Sequence, residues 1–131
     1  MHEIRVQTSR TEELLDITDA IRDALREADA AGASSLLVFC PHTTAGLLIN
    51  EGCDPSVADD LGRFLAQCVP EGVSWKHAEG NTPAHIKATI VGASVWVPIV
   101  DGRLLLGRWQ AVFLAEFDGP RERRILLQLG A

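Results

Sequence analysis

Three histidines carry the chemistry that this chain can attempt. His42 stands in Cys-Pro-His-Thr-Thr-Ala (40–45), and His77 and His85 in His-Ala-Glu-Gly-Asn-Thr-Pro-Ala-His-Ile-Lys (77–87), two stretches where reactive side chains interrupt or follow apolar runs. Neutral imidazole is the commonest ligand for divalent transition metals, and three imidazoles with an open fourth position suit a metal that must hold water or substrate. Zinc and magnesium are both candidates for that ion. The spacing is not diagnostic as His-Glu-x-x-His would be, so each histidine also has an ordinary reading as a hydrogen-bonded turn or surface residue.

Anion binding is the second chemistry. His85 falls in the first turn of a helix started by Thr82-Pro83, whose free N–H groups and dipole favour phosphate. Asn81 and Lys87 add donors, and Gly80 permits a close backbone approach to a ligand. Thr43, Thr44 and Asn50 join them as polar candidates for substrate contact. Among the carboxylates, Glu51 ends an apolar strand and is the first choice for a general base or for a partner orienting a metal-bound histidine, with Asp59 second. Asp54 reads instead as a helix cap. Cys53 precedes a helix start, where a thiol pKa falls, but no histidine is its neighbour in sequence. Cys40 and Cys68 read as small core residues. Trp75, Trp96 and Trp109, in a chain with no tyrosine and only 5% aromatics, read as anchors of a core or of an interface.

The elements that must position these residues follow from hydrophobic period. Residues 3–8 alternate as a strand with one wet face, and Ile17, Ile21, Ala24, Leu25 and Ala28 form one stripe of a helix capped by Asp16 or Thr18 and stopped at Gly32. Residues 35–40 are a short continuous apolar run, expected of a strand covered on both faces. Pro41 interrupts it and residues 44–50 resume, which leaves His42 and Thr43 at a break. Asp54-Pro55 opens a helix whose stripe is Val57, Leu61, Phe64, Leu65 and Cys68. Residues 73–77 read as a short strand and 84–91 as a helix ended by Gly92. Strands at 93–100, 103–106, 109–117 and 123–129 follow, with a hairpin at Asp101-Gly102 and a turn at Asp118-Gly119-Pro120. The expectation is one α+β domain over residues 1–131, with a C-terminal antiparallel meander and helices covering parts of the sheet.

Charge and composition narrow the function. With 131 residues, 47% hydrophobic, the chain can bury a real core. A net charge of -6 argues against a nucleic-acid partner, which draws on clustered Lys and Arg; Arg121, Arg123 and Arg124 read as a solvated strand end, with local anion binding as the alternative. No apolar run approaches the roughly 20 residues of a membrane helix. Three cysteines without a paired framework and no signal-like N-terminus are those expected of a cytoplasmic protein.

Taken together, His42-Thr43-Thr44-Ala45, Asn50-Glu51 with Cys53-Asp54-Pro55 and Asp59, Glu79-Gly80-Asn81, Ala84-His85-Ile86-Lys87, Gly92 with Ser94, Gly107 with Trp109-Gln110, and Phe117-Asp118-Gly119-Pro120-Arg121 resemble the YjbQ-like family over nearly the full chain. The resemblance implies an α+β fold with an antiparallel β-sandwich-like core, assembly as a homotrimer, and convergence of His42, His77 and His85 on one pocket. It also implies a secondary thiamine-phosphate synthase activity, which couples hydroxymethylpyrimidine diphosphate to thiazole phosphate. Two functions stay open: an enzyme acting on a phosphate-bearing small molecule, and a non-catalytic trimer that binds a metal or small anion.

Overall fold

Two antiparallel sheets face each other in the computed structural model, which describes residues 1–131. The strands are β1 (His2–Gln7), β2 (Glu13–Asp16), β3 (Ser35–Phe39), β4 (Ala45–Glu51), β5 (Ser94–Val100), β6 (Arg103–Leu104), β7 (Gln110–Glu116) and β8 (Glu122–Gly130). The helices are α1 (Thr18–Ala28), α2 (Pro55–Cys68) and α3 (Thr82–Val91). One sheet has the order β1-β8-β3-β5-β6 and the other β2-β7-β4. No helix is long and apolar enough to cross a membrane.

Period-two alternation builds the core between the sheets. Leu36 and Val38 of β3, Val97 and Ile99 of β5, and Ile125 and Leu127 of β8 point inward against Leu47 of β4 and Val112 and Leu114 of β7. Ile17, Ile21 and Leu25 close this core along the predicted stripe of α1. Full burial of each such side chain is worth about 1.5–3 kcal/mol. The other face of β7 presents Ala115, followed by Phe117, to Ala84 and Ala88 of α3, so β7 is covered on both sides.

Local signals place most of the element ends. Asp54 accepts a hydrogen bond from Ser56 N–H at 3.0 Å and Pro55 opens α2, as expected. Asp101 and Gly102 have φ of 52° and 75°, the left-handed pair that a two-residue hairpin requires, and they join β5 to β6. Asp16 accepts from the Thr18 N–H at 2.9 Å, while the Thr18 hydroxyl accepts from Val112 N–H.

Three expectations are corrected and one strand is added. The C-terminal strands are not a meander: β7 belongs to the second sheet, and β8 crosses back to lie between β1 and β3. Residues 73–77 form no strand and lie exposed, because no neighbouring strand offers them a ladder. β2 escapes the pattern, since Glu-Leu-Leu-Asp shows no alternation and pairs only because β7 has a free edge there. The stripe of α2 is not core: no residue of that helix is fully buried, Phe64 is 63% exposed and Cys68 is also exposed. Two smaller differences accompany them. α1 ends at Ala28 with Asp29 left-handed rather than at Gly32, and all three tryptophans are exposed, so none of them anchors the core.

Candidate functional site

His42 sits where β3 has ended and β4 has not begun. Pro41 cannot donate to the ladder, so the chain leaves β3, and the break presents His42 and Thr43 to a cavity of about 430 Å³. Its wall is completed by His85, Ala88 and Thr89 of α3, and by Gly92 and Ala93 just beyond it. α3 can lie this close because β4 carries glycine at position 46: a Cβ there would stand 2.5 Å from the Gly92 carbonyl oxygen. Two histidines that are remote in sequence thus share one cavity.

His77 lies against His85 on the other side. Their rings are 5.2 Å apart and perpendicular, with the His77 Nε2 3.8 Å from the Glu79 carboxylate. His77 faces a separate concavity with Trp75, Gly80 and Pro83. Within the single chain no group of three or more His, Cys, Asp or Glu side chains lies close enough to hold a metal ion.

The hydrogen bonding of His42 defines its chemistry. Nε2 accepts the backbone N–H of Arg124 at 3.0 Å, so the proton of the neutral ring resides on Nδ1. Burial pushes its pKa down, and the Arg123 guanidinium pushes the same way. A neutral imidazole with an Nδ1–H is a hydrogen-bond donor suited to an oxyanion; a metal ligand would need the Nε2 lone pair, which the Arg124 N–H occupies.

Behind the cavity, Thr44 turns inward. Its hydroxyl accepts from the Arg123 Nη2 at 2.8 Å, and Arg123 Nε meets both oxygens of Glu116 at 2.9 and 3.1 Å. Thr8 donates to Glu116 at 2.8 Å. Burial alone would raise the Glu116 pKa, but the bonds from Arg123, Thr8 and the Asp118 N–H outweigh it and hold the carboxylate below its usual range. Arg123 is only 2% exposed, so the reading of residues 121–124 as a solvated strand end is corrected at this position. The alternation of β8 carried the signal: Arg123 shares the inward face with Ile125 and Leu127.

The other candidates are dispersed. Lys87 is 2% exposed, ion-paired with Glu12 and set over the Phe117 ring, so within the chain it is not the free anion donor expected. Asn81 donates to Asp118 at 3.0 Å, while its Oδ1 and the Thr82 hydroxyl are buried without partners. The start of α3 offers few free donors: Pro83 has no N–H, and those of Ala84 and His85 go to the Asn81 carbonyl. Asn50 and Glu51 stand at the far end of β4, about 20 Å from His42 by the rise of a seven-residue strand. Asp59 lines a different cleft, beside Arg63. Gly80 lies exposed with a left-handed φ of 80°.

The fold and site define a small antiparallel α+β sandwich with a half-open, histidine-lined cavity beside a buried ion pair. The chain belongs to the family described as UPF0047 protein YjbQ-like, which it matches over residues 2–131. It is 44% identical to UPF0047 protein MJ1081 of Methanocaldococcus jannaschii over 95% of this chain and 90% of that protein. It is 41% identical to UPF0047 protein YugU of Bacillus subtilis, covering 96% of each. Among solved structures, a YjbQ/UPF0047 family protein from Clostridium acetobutylicum superposes with a TM-score of 0.93 at 40% identity, covering 98% of this chain and 99% of that one. The conserved hypothetical protein TT1486 of Thermus thermophilus gives 0.90 at 41% identity over 98% and 99%.

Proposed function

We propose that the chain binds a phosphate-bearing small molecule in the cavity between the β3–β4 break and α3. One observation carries the reading: His42 and His85, far apart in sequence, line the same cavity. The neutral ring of His42 has its Nδ1–H as a donor and the Thr43 hydroxyl adds a second, whereas the Thr89 hydroxyl donates to the His85 carbonyl at 2.9 Å. The volume is that of a small-molecule pocket.

In its enzymatic form this is a transferase of the thiamine-phosphate synthase type as a secondary activity, with the donor groups stabilising charge on a departing diphosphate. His77 and His85 together offer two imidazole ligands, a set that suits zinc better than magnesium. Completing such a site calls for ligands from a second copy, and the homotrimer implied by the family resemblance would supply them; Asn50 and Glu51, at the far end of β4, are free to serve there. The second reading is a non-catalytic trimer that binds a small anion, favoured by the lack of any carboxylate among the residues lining the cavity.

The test uses purified protein of known metal content and measured oligomeric state, supplied with hydroxymethylpyrimidine diphosphate and thiazole phosphate. Formation of thiamine phosphate that is lost in His42→Ala and in His85→Ala supports the enzyme. Saturable binding of the diphosphate without product, lost in the same variants, supports the binder. Neither binding nor turnover, or either one unchanged in both variants, sinks the reading.

A further inference from the structure

We propose that the cleft between α2 and the turn joining β1 to β2 is a second binding site, for a small molecule carrying an oxyanion. The cleft holds about 430 Å³. Its lining includes Leu14, Phe117, Glu12, Glu13 and Glu116; Lys87 and Arg123 neutralise Glu12 and Glu116, and Glu13 is taken up by the N–H groups of Ser9 and Arg10. One wall is the face of α2 formed by Ala58, Gly62 and Ala66, whose lack of bulk keeps the cleft open.

The guanidinium donors that remain without an acceptor decide the ligand. Arg10, Arg63 and Arg103 are the arginines whose guanidinium meets neither a carboxylate nor an aromatic ring, and two of those three line this cleft. They approach from different elements, Arg10 from the turn and Arg63 from α2. Asp59 lies one helical turn before Arg63 on α2, and both side chains line the cleft. Guanidinium forks match carboxylate and phosphate oxygens, and Asp59 is placed to accept a hydroxyl or ammonium of the same ligand.

The turn carrying Arg10 is set in advance. The Glu13 carboxylate accepts the N–H groups of Ser9 and Arg10, and Gly119 packs against the Arg10 carbonyl so closely that no Cβ fits. A fixed turn lowers the ordering cost of binding. Leu14, Phe117 and the alanines of α2 then receive a short hydrocarbon body.

Titrating the intact protein with inorganic phosphate and, separately, with succinate, while following backbone amide NMR shifts, tests this site apart from the histidine cavity. Saturable shifts at Gly62 and Ala66 are expected with one or both anions, and the anion that saturates identifies the oxyanion class. Arg10→Gln and Arg63→Gln should each weaken that binding about tenfold or more, the loss of one charge-assisted contact. Arg103→Gln should leave it unchanged. Absence of saturation with either anion, equal weakening by Arg103→Gln, or shifts confined to Thr89 and Gly92 would overturn the proposal; the last would assign the anion to the histidine cavity.

Discussion

Thr43 and Thr44 are neighbours in sequence and belong to opposite kinds of polar environment. Thr43, with His42 and His85, faces a cavity open to solvent, where each polar group keeps access to water or a ligand. Thr44, with Thr8, Glu116 and Arg123, closes one end of the sandwich core, where every bond must come from the protein itself. At the bend between β3 and β4, one backbone step thus separates a group that can be exchanged from one that cannot. The buried set sustains the geometry on which the open set depends, since Arg123 lies one residue before the N–H that holds His42.

The strongest way to break this contrast is Arg123→Met, which leaves the Glu116 carboxylate buried and uncompensated. We expect a loss of about 3–5 kcal/mol in urea unfolding. The paired replacement Arg123→Met with Glu116→Leu should regain much of it; equal instability of the single and double variants would show that the pair is not the source. Lys87→Met should cost less, about 1–3 kcal/mol, because Glu12 retains about a third of its exposure and can turn to water. A loss as large as that of Arg123→Met would mean that Lys87 supports more than its ion pair.

The cavity should respond in the reverse manner. His42→Ala forfeits one hydrogen bond, about 1 kcal/mol in stability, and His85→Ala less, while each should weaken diphosphate binding about tenfold or more by calorimetry. A large loss of stability with unchanged binding would exchange the roles of the two regions.

The smallest effect is in pH. Because the His42 pKa is depressed below its ordinary 6.5, the unfolded chain takes up that proton before the folded one does. Stability is therefore full above about pH 6.5 and falls as pH drops through the interval down to the folded pKa. Glu116, also depressed, withdraws its contribution only further into acid, as pH falls from its ordinary 4.5 through its folded value. Unfolding curves of His42→Gln should lack the first decline and retain the second; an unchanged first decline would assign it to another group.

Particular residues show how far the sequence is legible. The stripe of α1, the Asp54-Pro55 start of α2 and the Asp101-Gly102 turn are local signals, set by contacts a few residues apart, and the structure has them. The approach of His85 to His42 rests on Gly46, which reads in sequence as one more strand residue; only its contact with Gly92 reveals why it is small. Arg123 could be read from its place on the inward face of β8, and Glu116 stands only seven residues before it across the Asp118-Gly119-Pro120 turn; hidden from the sequence is that the two strands leave this turn into different sheets. Lys87 is hidden because Glu12, its counter-ion, lies 75 residues away in the chain.

The amino-acid order by itself determined the α+β character, nearly all of the strands and helices, and the stretches in which reactive side chains occur, because alternation, capping and turn formation act over a few residues. The tertiary structure alone decided that β8 returns between β1 and β3, that Glu51 stands a strand's length from His42, and which charges are buried. Such outcomes depend on which surfaces meet, and water leaves a charged side chain only when a remote part of the chain arrives to replace it.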